Sequence, residues 1–210
     1  MTDPQATRPA DAPRSLRERN RLRTRRELLD AALKVFAAKG FAGAAVEAIA
    51  SEAGASKVTL YAYFPAGRDD LFRELYEEIN EELIELAKAE HAAASGLVDR
   101  VVALARPLLE IGARPLIGQF YANSDPTVEA ALVPVRGHAS RIYVELLAED
   151  ISEARTAGAV DTAVEPETMA VLLVGAMRAG LAAVATDPTG SQRLLAGIAA
   201  LTTGLLRRAE

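Results

Sequence analysis

Apolar residues recur along this chain with the spacing of helices. Pro4, Pro9 and Pro13 sit among Ala, Thr and Asp, a composition that predicts an opening arm without fixed structure. From Arg17 the pattern turns helical. Leu28, Leu29, Ala32, Leu33 and Phe36 fall at i, i+1, i+4, i+5 and i+8, which is one apolar stripe. Gly40 is placed to stop that helix, because the residue after a helix end often adopts left-handed geometry. Val46, Ile49, Ala50 and Ala53 mark a second, short helix, broken by Gly54-Ala55-Ser56. Ser56 is a candidate N-cap for a third helix, in which Leu60 and Phe64 share a face. Pro65 ends it by forcing the preceding residue out of α geometry. A long helix opens near Asp69-Asp70, whose charges suit a helix N-terminus, and runs through Leu71, Leu75, Ile79, Leu83 and Leu86. Helices are further predicted over 97–111, 115–121, 126–156, 166–185 and 192–208. No strand-like alternation and no internal repeat competes with an all-α fold.

Composition agrees. Half the residues are hydrophobic and only 5% aromatic, with Ala and Leu dominant, which favours helices over a β-sandwich. The absence of cysteine excludes disulfides and thiolate metal sites and suits a reducing cytosol. His91 and His138 lie far apart and outside any HExxH spacing, so neither a metal nor another cofactor is expected. No GxGxxG or Walker loop, GxSxG elbow or catalytic cysteine is present, which argues against an enzyme. The stretch 170–186 is the most apolar, yet Arg178 interrupts it short of the roughly 20 clean residues of a membrane span. A core helix is predicted there, and no membrane association. No apolar segment follows the charged N-terminus as in a signal peptide, so a cytoplasmic location is expected.

Charge changes the picture. The chain as a whole carries −5, which alone argues against nucleic acid. Residues 1–26, however, hold eight arginines against Asp3, Asp11 and Glu18, a local +5, leaving −10 for the remainder. A basic start on an acidic body points to a localised polyanion-binding face, with a solubilising tail as the plain alternative. A protein that coats DNA without reading it would carry basic charge more widely.

The segment from Val46 to Tyr63 reads helix, tight glycine turn, helix. In a helix-turn-helix the second helix enters the major groove while the first braces it across the backbone. Leu60 and Phe64 supply the docking face. Lys57, Val58, Tyr61 and Ala62 fall together on the other. The stretch from Arg25 to Phe72 resembles the DNA-binding domain of TetR-family regulators. The matching residues are Arg25 to Ala32, Phe36 to Phe41, Ile49-Ala50, Ala53 to Ser56, Thr59 to Pro65 and Asp70-Leu71-Phe72. This resemblance implies DNA contacts from Arg25, Arg26, Ser56, Lys57, Val58, Thr59, Tyr61, Ala62, Tyr63 and Arg68. Lys57 is the candidate for a guanine edge, Val58 and Ala62 for thymine methyls, and Thr59, Tyr61 and Tyr63 for phosphates. Gly67 and Ala45 depart from the usual pattern, which has a lysine and a hydroxyl residue there. Both departures remove an expected phosphate contact, and the arginine-rich arm is a candidate to compensate.

The resemblance also divides the chain: a disordered basic arm over 1–20, a helix-turn-helix domain over 21–68, and a helical ligand-sensing and dimerisation domain over 69–210. Ala176, Ala179, Gly180 and Ala183 form a small-residue stripe, and Leu194, Ile198, Leu201 and Leu205 a larger one. The family pairs such helices in a homodimer, as a two-fold operator requires, although core packing would give the same stripes. Pocket candidates for an unidentified small-molecule effector are Phe120, Tyr121, His138, Arg141, Tyr143, Met169, Leu173 and Met177. The expected whole is a repressor that binds a double-stranded palindromic operator and is released by its effector.

Overall fold

The computed structural model describes residues 15–122 and 137–206. Its first helix, α1 (Leu16–Gly43), starts where Ser15 accepts a hydrogen bond from the Glu18 amide at 3.2 Å. Residues 16–20, expected as part of a structureless arm, are therefore the first turns of a helix. Residues 1–14, with Arg8 and Arg14, lie outside the described residues. Gly40 adopts φ 67°, which interrupts α1 and turns Phe41 back into the core, where it is 3% exposed.

Next come α2 (Val46–Glu52), α3 (Lys57–Tyr63), α4 (Arg68–Ala93), α5 (Leu97–Gly112) and α6 (Pro115–Ala122). Beyond the undescribed stretch lie α7 (His138–Thr156), α8 (Pro166–Thr186), a 3₁₀ turn at Pro188–Gly190 and α9 (Ser191–Thr203). The start of the helix expected from 126 falls outside the described residues, and the final helix ends five residues before its expected limit. The fold is all-α. Among the described residues, extended pairing is limited to one isolated bridge, Val160 with Leu206.

A continuous apolar core runs from the first three helices into the rest of the chain. Leu28, Phe36, Ile49, Leu60, Phe64 and Leu71 are buried together at its N-terminal end. Four phenylalanines form a column: Phe72 of α4 lies 5.1 Å from Phe36 and 5.0 Å from Phe41, and 4.6 Å from Phe120 of α6. The last contact brings α6 into the core of the N-terminal unit, although it lies far beyond residue 68 in sequence.

The remaining helices pack as α4 on α5, α7 on α8, and α9 and α8 on α5. Buried Asp150 of α7 ties three of them: His91 Nε2 of α4 approaches it at 2.7 Å, and Arg100 of α5 donates to it at 2.6 Å and to Glu153 at 3.0 Å. The stretch expected as a core helix is only half that. α8 buries Ala170, Leu173, Val174, Met177, Gly180 and Val184, while Val171, Leu172, Ala179 and Ala183 face outward. Only 33% of its apolar window is buried within the chain. On α9, Leu195, Ile198 and Thr202 point inward and Leu201 outward. Each proposed stripe is thus divided between two faces, because both faces of these helices are apolar.

Candidate nucleic-acid interface

The α2–α3 unit is fixed from below and open above. Leu60 is fully buried and Phe64 nearly so, which anchors α3. Ser56 caps the helix by accepting from the Thr59 amide at 3.0 Å, and its hydroxyl lies 2.9 Å from that of Thr59. Val58 is 80% exposed and Tyr61 47%; Lys57 and Ala62 are also exposed. Thr59 and Tyr63 are half-buried at the margin. The outer face is therefore neutral apart from Lys57. That lysine donates to Glu47 Oε1 of α2 at 2.8 Å. The hydrogen bond raises the Lys57 pKa and lowers that of Glu47, so both stay charged at neutral pH. Glu47 was not among the expected site residues. Its ten-residue separation from Lys57 becomes a contact only once the turn has closed.

The three arginines expected to contact DNA each have partners within the chain. Arg25 forms a two-pronged pair with Glu74 of α4, its Nε donating at 2.9 Å, and it also donates to the Tyr63 carbonyl at 3.3 Å. Its guanidinium stacks 4.6 Å from the centre of the Phe64 ring. Arg26 pairs with Asp30 at 2.8 Å and Glu78 at 2.9 Å. Arg68 donates to the carbonyls of Phe41 and Ala42 and stacks 4.4 Å over the Phe41 ring. These side chains lock α1, α3 and α4 against one another and so set the tilt of α3. Acidic partners 49 and 52 residues away give no local signal in the sequence.

Both departures from the family pattern have local structural correlates. Gly67 precedes α4 with φ 63°, and a Cβ there would meet Tyr61 Cε1 at 3.0 Å. A lysine would be strained and would displace the tyrosine ring. No side chain caps α4 at Gly67, and Asp70 reaches back to accept from the Ala66 amide, ahead of the helix, at 2.7 Å. Ala45 starts α2 without a side-chain cap.

The expected pocket residues divide into three groups. Phe120, Tyr143, Leu173 and Met177 are buried, Tyr121 and Met169 half-buried, and His138 and Arg141 exposed at the start of α7. Tyr121 and Tyr76 meet edge to face at 6.0 Å. Burial, reinforced by Tyr76, pushes the Tyr121 hydroxyl pKa well up, and burial followed by the nearby Glu90 does the same to Tyr143. Both therefore stay protonated donors. Among the described residues, the Tyr143 hydroxyl is the buried side-chain polar atom that meets no hydrogen-bond partner. An open cleft of about 510 Å³ lies at the far end of α7, lined by Glu149, Ser152, Glu153, Thr156 and Ala157, and includes none of the expected residues.

Comparison with known proteins places this geometry. The family model of bacterial regulatory proteins, tetR family, matches residues 28–75. No curated protein matches the chain by sequence. Among solved structures, a TetR-family transcriptional regulator from Pectobacterium atrosepticum is 26% identical, over 94% of this chain and 100% of its own, with a TM-score of 0.63. A TetR transcriptional regulator from Chloroflexus aurantiacus is 20% identical, over 91% and 100%, with a TM-score of 0.70. The fatty acid degradation regulator FadR from Bacillus halodurans is 18% identical, over 87% and 99%, with a TM-score of 0.68. Residues 28–75 thus match the tetR family of bacterial regulatory proteins, and the chain shares the fold of TetR-family transcription regulators over most of its length.

Proposed function

We propose that the chain is a cytoplasmic repressor that grips a palindromic operator as a homodimer and lets go when a small molecule enters its C-terminal domain. The observation that carries this reading is the recognition helix itself. Its inner face is sealed by Leu60 and Phe64, while Val58, Tyr61 and Ala62 stand clear of the body with Lys57 at their edge. This is a face shaped for a groove. Ser56, Thr59, Tyr61 and Tyr63 would position it on phosphates, Lys57, Val58 and Ala62 would read bases, and Arg25, Arg26 and Arg68 would hold it at its angle.

Dimerisation is supported by the outward faces of α8 and α9, where Val171 (55% exposed), Leu172 (63%) and Leu201 (58%) lie among alanines and glycines. Isologous pairing of these faces would bury them and relate two recognition helices by a two-fold axis. Effector release is supported by the Tyr143 hydroxyl, a buried donor held protonated by burial that meets no partner among the described residues. An effector that binds the non-DNA-competent arrangement more tightly must, by linkage, bind more weakly when operator is present.

Selection of bound duplexes from a random pool tests the reading. An inverted repeat is expected, with half-sites one helical turn or a multiple apart, about 34 Å per turn. A recovered pool without two-fold symmetry would overturn it. Metabolites that raise the melting temperature should then be titrated with and without that duplex. Effectors should bind less tightly in its presence, and indifference of every tight binder would defeat the sensor half of the proposal.

A further inference from the structure

Lys57 is the sole cation between Ala45 and Ala66, where Glu47 and Glu52 are the anions. Glu52 is engaged elsewhere, by Lys34 of α1 at 2.9 Å. The charge offered to a groove by the α2–α3 surface is thus set by one ion pair, Lys57 with Glu47. Its side chains are 56% and 64% exposed. A pair so open to water is screened and contributes little to folding, which gives it little purpose as a stabiliser. Its position, where α2 and the first turn of α3 meet, gives it another.

We propose that Glu47 is a specificity-determining positioning residue that withholds the Lys57 ammonium from phosphates and presents it to a G·C edge. This rests on the reading of α3 as the DNA-facing helix. A lysine free on its four-carbon stem takes whichever phosphate is near, and that contact carries no sequence information. An ammonium has three N–H donors and no acceptor. With one donor held by Glu47, two remain, and guanine offers two acceptors, O6 and N7, in the major groove. The cytosine of the same pair offers an N4 amino donor to the second carboxylate oxygen. Beside a phosphate the pair is nearly neutral and gains little. Beside a G·C pair all of its remaining valences are met.

The test uses the full chain with Glu47→Gln, Lys57→Ala, the double variant and Tyr61→Ala. Two probes are needed: a short random-sequence duplex, and the tightest duplex that the wild type recovers from a random pool. Glu47→Gln should bind the random duplex several-fold more tightly, with a log–log salt slope steeper by about one unit, as one extra phosphate is neutralised. Its preference for the selected duplex should fall about tenfold, the discrimination of one bidentate base contact. In the Lys57→Ala background the same change should alter neither quantity. An unchanged preference in Glu47→Gln would overturn the proposal. So would an equal gain in both backgrounds, which would make Glu47 a mere repeller of phosphate. If Lys57→Ala and Tyr61→Ala both leave binding to both duplexes intact, the DNA-facing reading of α3 fails, and this inference fails with it.

Discussion

In the N-terminal unit, side chains that the sequence leaves as surface cations are tied back into the protein. Arg25 reaches Glu74 and the Tyr63 carbonyl, Arg26 reaches Glu78, and Arg68 reaches two carbonyls at the end of α1. In α8 and α9 the reverse holds. Apolar side chains that could have been core lie on the outside, Leu172 and Leu201 more than half exposed. One region satisfies its side chains within the chain, and the other leaves apolar side chains open to solvent. The proposed reading head would have to keep its shape whether or not DNA is present, and the internal partners of its polar groups serve that. The proposed association face would stay unsatisfied until a second copy arrived.

The largest effect that would break this contrast is at α9. Leu201→Glu should weaken self-association by at least about 3 kcal/mol, since it places a charge in an apolar contact. It should leave the fold intact, because the side chain is 58% exposed in one copy. Sedimentation across a concentration series reads the first and far-UV circular dichroism the second. Unchanged sedimentation would remove α9 from the interface. Next comes Arg25→Ala, expected to lower stability by about 2 kcal/mol in denaturant titration, as charged hydrogen bonds across three elements are lost. Arg25→Lys should recover little, because an ammonium cannot reproduce the planar two-pronged pair and the ring stacking. A mutant with full stability but weakened DNA binding would instead return Arg25 to direct contact. The smallest effect sharpens the comparison inside the body. Tyr143→Phe should raise stability by about 1 kcal/mol without ligand, by removing an unpaired buried hydroxyl. It should also weaken any effector that Tyr143 holds. A lower melting temperature would mean that the hydroxyl is already satisfied.

The helices were legible because period-3.6 stripes and punctuating residues act locally. Gly40, Ser56 and Pro65 each did what their chemistry dictates. The candidate DNA face was legible for the same reason, since Leu60 and Phe64 define its back by spacing alone. What spacing could not decide was the destination of the arginines. A basic side chain on a helix fits a phosphate and a distant carboxylate equally well, and Glu74 and Glu78 become neighbours only after α4 has packed. The two stripes at the C-terminal end were ambiguous for a different reason. α8 is apolar nearly all round, so periodicity cannot separate its inward Met177 and Val184 from its outward Val171 and Leu172.

The phenylalanine column bears on how regulators of this kind can be recombined. A cut at the start of α4 suggests a portable head that could be grafted onto another sensor. Phe120 contradicts that modularity. It enters the head from α6, stacking on Phe72 at 4.6 Å and meeting Phe36 at 6.2 Å. A chimera joined near residue 68 inherits a socket without its plug unless the recipient's α6 carries an aromatic ring in the same place. Exchange of specificity between such proteins is therefore safest when confined to the outer face of α3, leaving the ring column and its α6 contribution from one parent.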